Sequence, residues 1–131
     1  DAYVSNVDRT ARNTNLLIWH RQLYLIDHGA ALYFHHGWDG GNANAGSPFT
    51  RIKDHVLLPW ADALPEADRA LSAKLDRDML DGIVAQVPDE WLLAADAFAD
   101  PATMRAAYVD YLMRRLGQRP AFVQEAIAAR R

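Results

Sequence analysis

The chain opens on a polar segment, Asp1 to Thr14, dense in Asn, Asp, Arg and Thr. Two four-residue apolar runs follow, Leu16-Leu17-Ile18-Trp19 and Leu23-Tyr24-Leu25-Ile26, separated by His20-Arg21-Gln22. Branched and aromatic side chains suit extended backbone and the short gap suits a turn. The pattern therefore predicts a β-hairpin over 16–27, centred on Arg21. From Gly37 to Pro48 nothing apolar repeats, and four of the seven glycines fall there. That composition predicts a flexible surface loop over 37–48.

Beyond the loop the period changes from two to about 3.6. Ile52, Val56, Leu57, Trp60 and Leu64 recur at helical spacing, which predicts a helix stopped by Pro65. Leu75, Met79, Leu80, Ile83, Val84 and Val87 mark a second helix, capped by Asp76 and ended by Pro88. Pro88 to Leu92 reads as a short helical turn with Asp89 and Glu90 near the positive end of its dipole. Met104, Ala107, Tyr108, Tyr111, Leu112 and Leu116 form a third stripe, stopped by Gly117. A last helix runs from Pro120 to Arg131 and carries Phe122, Val123, Ala126 and Ile127. The expected fold is mainly α with a small β-hairpin: one unit over 1–131, with its helical body at 49–131.

Composition narrows the function. The 131 residues are 50% hydrophobic and 24% charged, the make-up of one soluble globular domain. Fourteen Lys plus Arg against 17 Asp plus Glu leave a net charge of -3, which argues against duplex nucleic acid or an anionic membrane as partner. No apolar run approaches the roughly 20 residues of a membrane helix. The absence of cysteine excludes disulfides, thiolate zinc sites and a cysteine nucleophile, and permits a cytoplasmic location.

The densest chemistry lies around the hairpin. Asp8-Arg9-Thr10-Ala11-Arg12-Asn13 precedes it, within a loop spanning 5–15, and Asp27-His28-Gly29 follows it. A hairpin centred on Arg21 sets Asp27 opposite Asn15 and diagonal to Asn13, and diagonal neighbours lie roughly 7–8 Å apart. Asp8 is kept close by the short loop. Asp8, Asn13 and Asp27 are thus expected to converge on a shared hard cation such as Mg²⁺, which takes one or two carboxylates beside water and phosphate.

This order of residues resembles the catalytic loop and metal motif of the protein-kinase-like fold, in which a loop Asp precedes an Asn by five positions and a hairpin leads to Asp-x-Gly. The wider wording is similar to the HipA-like kinases found in bacteria: Asn-Val-Asp-Arg-Thr-Ala-Arg-Asn-Thr-Asn-Leu-Leu, Leu-Ile-Asp-His-Gly-Ala-Ala-Leu-Tyr-Phe and Pro-Asp-Glu-Trp-Leu. The resemblance implies a protein-kinase-like C-lobe. In it, Asp8 orients or deprotonates the attacking hydroxyl, while Asn13 and Asp27 hold Mg²⁺ on ATP. It further implies a hydroxyl-bearing acceptor, taken as a protein Ser or Thr. His28 replaces the Phe common at its place. A Gly-rich strand turn and a strand lysine are absent. The only lysines, Lys53 and Lys74, fall in helical stretches, and only seven residues precede Asp8. An upstream lobe or partner chain is therefore expected to be missing, leaving the chain inactive alone, with an exposed apolar patch and self-association.

Two readings compete. One is a non-catalytic helical interaction module, or pseudokinase remnant, that keeps the acidic motif as scaffold. The other is a small metal-binding domain built on His28, His35 and His36, although their spacing fits no strong signature. Arg9 and Arg12 read as solvated loop cations, and His55 as a structural residue. Ser47 or Thr50 reads as an N-cap, and both are also conceivable phosphorylation sites. Trp19, Trp38, Trp60, Trp91, Tyr108 and Tyr111 read as core and interface packing. The Gly37–Gly46 stretch lacks the Gly-Lys-Ser/Thr ending of a phosphate loop.

Overall fold

The computed structural model describes residues 1–38, 44–92 and 98–130. They form a mainly helical structure with one two-stranded antiparallel sheet. Strands β1 (Leu16–Trp19) and β2 (Gln22–Leu25) meet through a two-residue turn, His20-Arg21, both with positive φ. That left-handed pair matches the twist of the flanking strands, so two residues suffice. Leu16 consequently faces Leu25 and Trp19 faces Gln22. The register is one residue from that expected: Ile26, not Asp27, lies across from Asn15, whose carbonyl accepts from the Ile26 N–H at 2.9 Å.

The stretch 50–64 also departs from expectation. It holds two 3₁₀ turns, Thr50–Asp54 and Leu58–Trp60, rather than one helix. Pro59 has no N–H to donate, which prevents a continuous α-helix. Pro65 does not stop a helix but stands in the first turn of α1 (Leu64–Ser72), where the missing N–H costs nothing. Neither Ser47 nor Thr50 caps a helix. The Ser47 hydroxyl accepts from Phe49 N–H within the preceding turn, and Thr50 begins the 3₁₀ turn itself.

The later elements follow the sequence pattern. Helix α2 (Arg77–Val84) is capped by Asp76, whose Oδ1 accepts from Met79 N–H at 2.8 Å. A short α3 (Asp89–Leu92) leads toward α4 (Pro101–Gly117), capped by Asp100, and α5 (Pro120–Ala129) closes the order. Leu80, Val84, Val109, Tyr111 and Leu112 form one buried cluster between α2 and α4. Phe49, Ile52, Leu58, Phe122 and Ala126 form a second, between the 3₁₀ turns and α5. Tyr3 packs against both clusters, and its hydroxyl donates to the Leu112 carbonyl at 3.0 Å.

Arg115 lies at this junction, fully buried. It donates to the carbonyls of Ala2, Tyr3, Ala45 and Ser47 and rests over the Phe122 ring at 4.6 Å. The ends of the predicted 37–48 loop are therefore fixed, since Trp38 and Ala45 belong to the core. Residues 39–43 of that loop lie outside the described residues. Trp38 is buried as expected, but Trp19, Trp60 and Trp91 are exposed.

Candidate functional site

The loop before β1 is closed by its own short-range bonds. Thr10 N–H donates to the Asn13 carbonyl at 2.9 Å, and Asn13 N–H donates to the Thr10 hydroxyl at 3.3 Å. The tight turn folds the Asn13 side chain back, so that its Nδ2 donates to Asp8 Oδ2 at 2.7 Å. The five-residue spacing thus brings Asp8 and Asn13 together. Their remaining side-chain oxygens, Asp8 Oδ1 and Asn13 Oδ1, have no hydrogen-bond donor among the described residues. Buried Asn6 supports the loop from below, accepting from Asp8 N–H at 3.1 Å and donating to Asp1. A β-bridge between Thr10 and His55, with Val56 N–H donating to the Arg9 carbonyl at 3.0 Å, fastens the loop to the segment after residue 50.

Asp27 is placed differently. It follows β2 with φ of 51°, in the left-handed region that Asp tolerates better than most residues. Its Oδ1 accepts from Gly29 N–H at 3.4 Å, its backbone carbonyl accepts from Asn15 Nδ2 at 3.5 Å, and its side chain is exposed. No hydrogen bond joins the Asp27 carboxylate to Asp8 or Asn13 among the described residues.

Arg9 links the two halves. Its side chain is shut away from water, contrary to the expected solvated cation. Nε donates to Asp1 Oδ2 at 2.7 Å, Nη1 donates to the carbonyls of Asn15 and Ile26, and Nη2 donates to His28 Nδ1. One planar fork therefore touches the residue two beyond Asn13 and both neighbours of Asp27. Arginine suits this work because its five donors diverge in a fixed plane. Arg12 is exposed, as expected.

His55 completes the support. Nε2 donates to the same Asp1 carboxylate at 2.8 Å, and Nδ1 accepts from Leu57 N–H at 3.1 Å. Those contacts require the neutral ring. Burial, reinforced by nearby positive charge that includes Arg9, lowers its pKa to about 4. The close approach to Asp1 is thus a hydrogen bond near neutral pH rather than an ion pair. No sequence pattern distinguished Arg9, Asn6 or Asp1 as buried supports; the adjacency of Arg9 to Asp8 was the one available signal.

Asn13 and Asp27 carry donors of the chemistry a hard cation takes. A free carbonyl oxygen on Asn13 and an exposed carboxylate on Asp27 are oxygen ligands of the kind Mg²⁺ takes, while water and phosphate fill the other positions. The three histidines are engaged elsewhere. His28 Nε2 donates to the Leu25 carbonyl while Nδ1 accepts from Arg9. His35 Nδ1 is hydrogen-bonded to the Tyr108 hydroxyl, and the His36 ring meets Tyr33 edge-on. Among the described residues no group of three His, Asp or Glu could hold a metal.

The family model for HipA-like kinases matches residues 1–126, which include the whole of this site. The chain belongs to the HipA-like kinase family. Comparison with curated proteins and with solved structures yields no match. No helix among the described residues of this HipA-like kinase chain is long and apolar enough to cross a membrane.

Proposed function

We propose that this kinase-related chain is the C-lobe of a phosphotransferase that uses ATP and Mg²⁺ and passes the γ-phosphoryl group to a Ser or Thr hydroxyl. The observation that carries the reading is the 2.7 Å bond from Asn13 Nδ2 to Asp8 Oδ2. It turns one free oxygen of each side chain to separate tasks. Asp8 Oδ1 accepts the proton of the acceptor hydroxyl as that oxygen bonds to Pγ and the bond from Pγ to the ADP oxygen breaks. Asn13 Oδ1 and the Asp27 carboxylate hold the cation. Bound Mg²⁺ supplies neutralisation of the charge on the phosphate oxygens. Arg9 keeps the two ligand-bearing segments at a fixed separation.

Leu17, Ile18, Trp19, Leu23 and Tyr24 present both faces of the hairpin to water. An apolar surface of this kind is what a second lobe or a partner chain would cover. Calorimetry on the chain tests the proposal. Mg²⁺-dependent ATP binding is expected, and Asp27→Ala should weaken it by roughly tenfold or more while the unfolding transition is unchanged. Binding that is indifferent to Mg²⁺, or to that substitution, refutes the proposal.

A further inference from the structure

A cleft lies directly beside the Asp8 loop. Thr10 to Arg12, the 51–60 stretch and the end of α5 enclose about 770 Å³. Its walls carry Arg12, Arg51, Lys53 and Arg130 against one carboxylate, Asp54. His55, which also lines it, is neutral near pH 7 because burial lowers its pKa to about 4. Arg51 reaches Asp54 at 3.5 Å, an exposed pair of the kind worth little. Arg12, Lys53 and Arg130 have no ion-pair partner among the described residues. In a chain of net charge -3, this concave surface has the opposite sign. The same lining carries Val56, Leu58, Pro59 and Trp60, and Trp60 is 73% exposed.

The occupant must match both features. Inorganic phosphate would meet the cations and leave Trp60 bare. A bilayer needs a flat or convex face, whereas these cations line a hollow. A single exposed indole offers one stacking platform, not the succession that a nucleic-acid strand uses. An extended peptide that carries both Asp or Glu and an apolar residue meets all of it. We infer that this cleft docks an acidic polypeptide segment, whose carboxylates engage Arg12, Lys53 and Arg130 while an apolar side chain covers Trp60. That this segment is the phosphoryl acceptor rests on the phosphotransfer reading above; its binding does not.

The test uses the full chain without nucleotide and a fluorescent peptide in which Ser and Leu are flanked by Glu, with Gln replacing Glu in a control. The acidic peptide should bind about tenfold tighter than the Gln control, and less tightly as salt rises. Lys53→Glu combined with Arg130→Glu should cost about tenfold in that affinity, leaving the thermal transition and Mg²⁺-dependent ATP binding unchanged. Equal affinity for the two peptides, or undiminished binding by the double variant, overturns the inference. So does tighter binding of inorganic phosphate, phosphatidylserine vesicles or a uridine oligonucleotide. Charge-dependent peptide capture without any ATP binding would leave this inference standing and sink the phosphotransfer reading. ATP binding without peptide capture would do the reverse.

Discussion

The Arg9 and Arg115 neighbourhoods each bury a guanidinium completely, yet satisfy it by different means. Arg115 gathers four backbone carbonyls from the 2–3 and 45–47 segments and adds an aromatic face. Burial lowers its pKa, with Tyr111 and Tyr3 acting the other way. Arg9 instead meets a carboxylate, two carbonyls and an imidazole. Backbone carbonyls do not titrate near neutral pH, so the Arg115 junction is a permanent fastening between the helical body and the chain around it. The Arg9 junction shares Asp1 with His55 and touches both segments of the candidate site, so pH and site geometry meet there. The difference separates a residue that holds the fold from one that sets the spacing within it.

Breaking the first junction should have the largest effect. Arg115→Ala removes the shared donor from four carbonyls, of which, among the described residues, Ala2 alone keeps another in Ser5 N–H, and is expected to cost about 4 kcal/mol, read as a lower urea midpoint. A loss under about 1 kcal/mol would show that water takes over those carbonyls and that the junction is not a fastening. Arg9→Lys keeps the charge but loses the fork. A cost of about 2 kcal/mol is expected, together with weaker Mg²⁺-dependent ATP binding that Arg115→Lys does not share. Equal loss of ATP binding in both variants would erase the distinction.

The smallest effect is one of pH. Folded His55 stays neutral to about pH 4, whereas in the unfolded chain it takes up a proton near its ordinary value of 6.5. Its contribution is therefore fully present above pH 6.5, declines as pH falls toward 4, and is constant below that. His55→Gln should flatten this part of the curve of melting temperature against pH. A wild-type curve no steeper than that of the variant between those limits would show that His55 is not the titrating group.

Much of the helical half was legible because its rules are local. Asp76 before a stripe of apolar residues marks a capped helix, and the stripe from Met104 to Leu116 can turn only one face to a core. The 50–64 stretch misled because its apolar spacing mimics a helix, although Pro59 is the physical signal against one. The hairpin was legible, but its register was not. His20 and Arg21 adopt the left-handed pair that Asn and Gly usually supply, so the two-residue turn carries no mark in the residue types. At the site, the Asp8–Asn13 contact follows from loop length alone. The burial of Arg9 does not, since it depends on partners from Asp1 to His28 whose convergence is a tertiary event.

The hairpin carries one last consequence. A ribbon of only two strands leaves an open row of amides and carbonyls along each outer side. Around it stand branched and aromatic side chains, with no proline in 16–26 and only Arg21 formally charged. Natural sheets guard such borders with lysine, proline or a covering helix. Among the described residues neither strand is guarded in those ways by its own side chains, so a strand laid alongside either border would find its amides and carbonyls open to pairing.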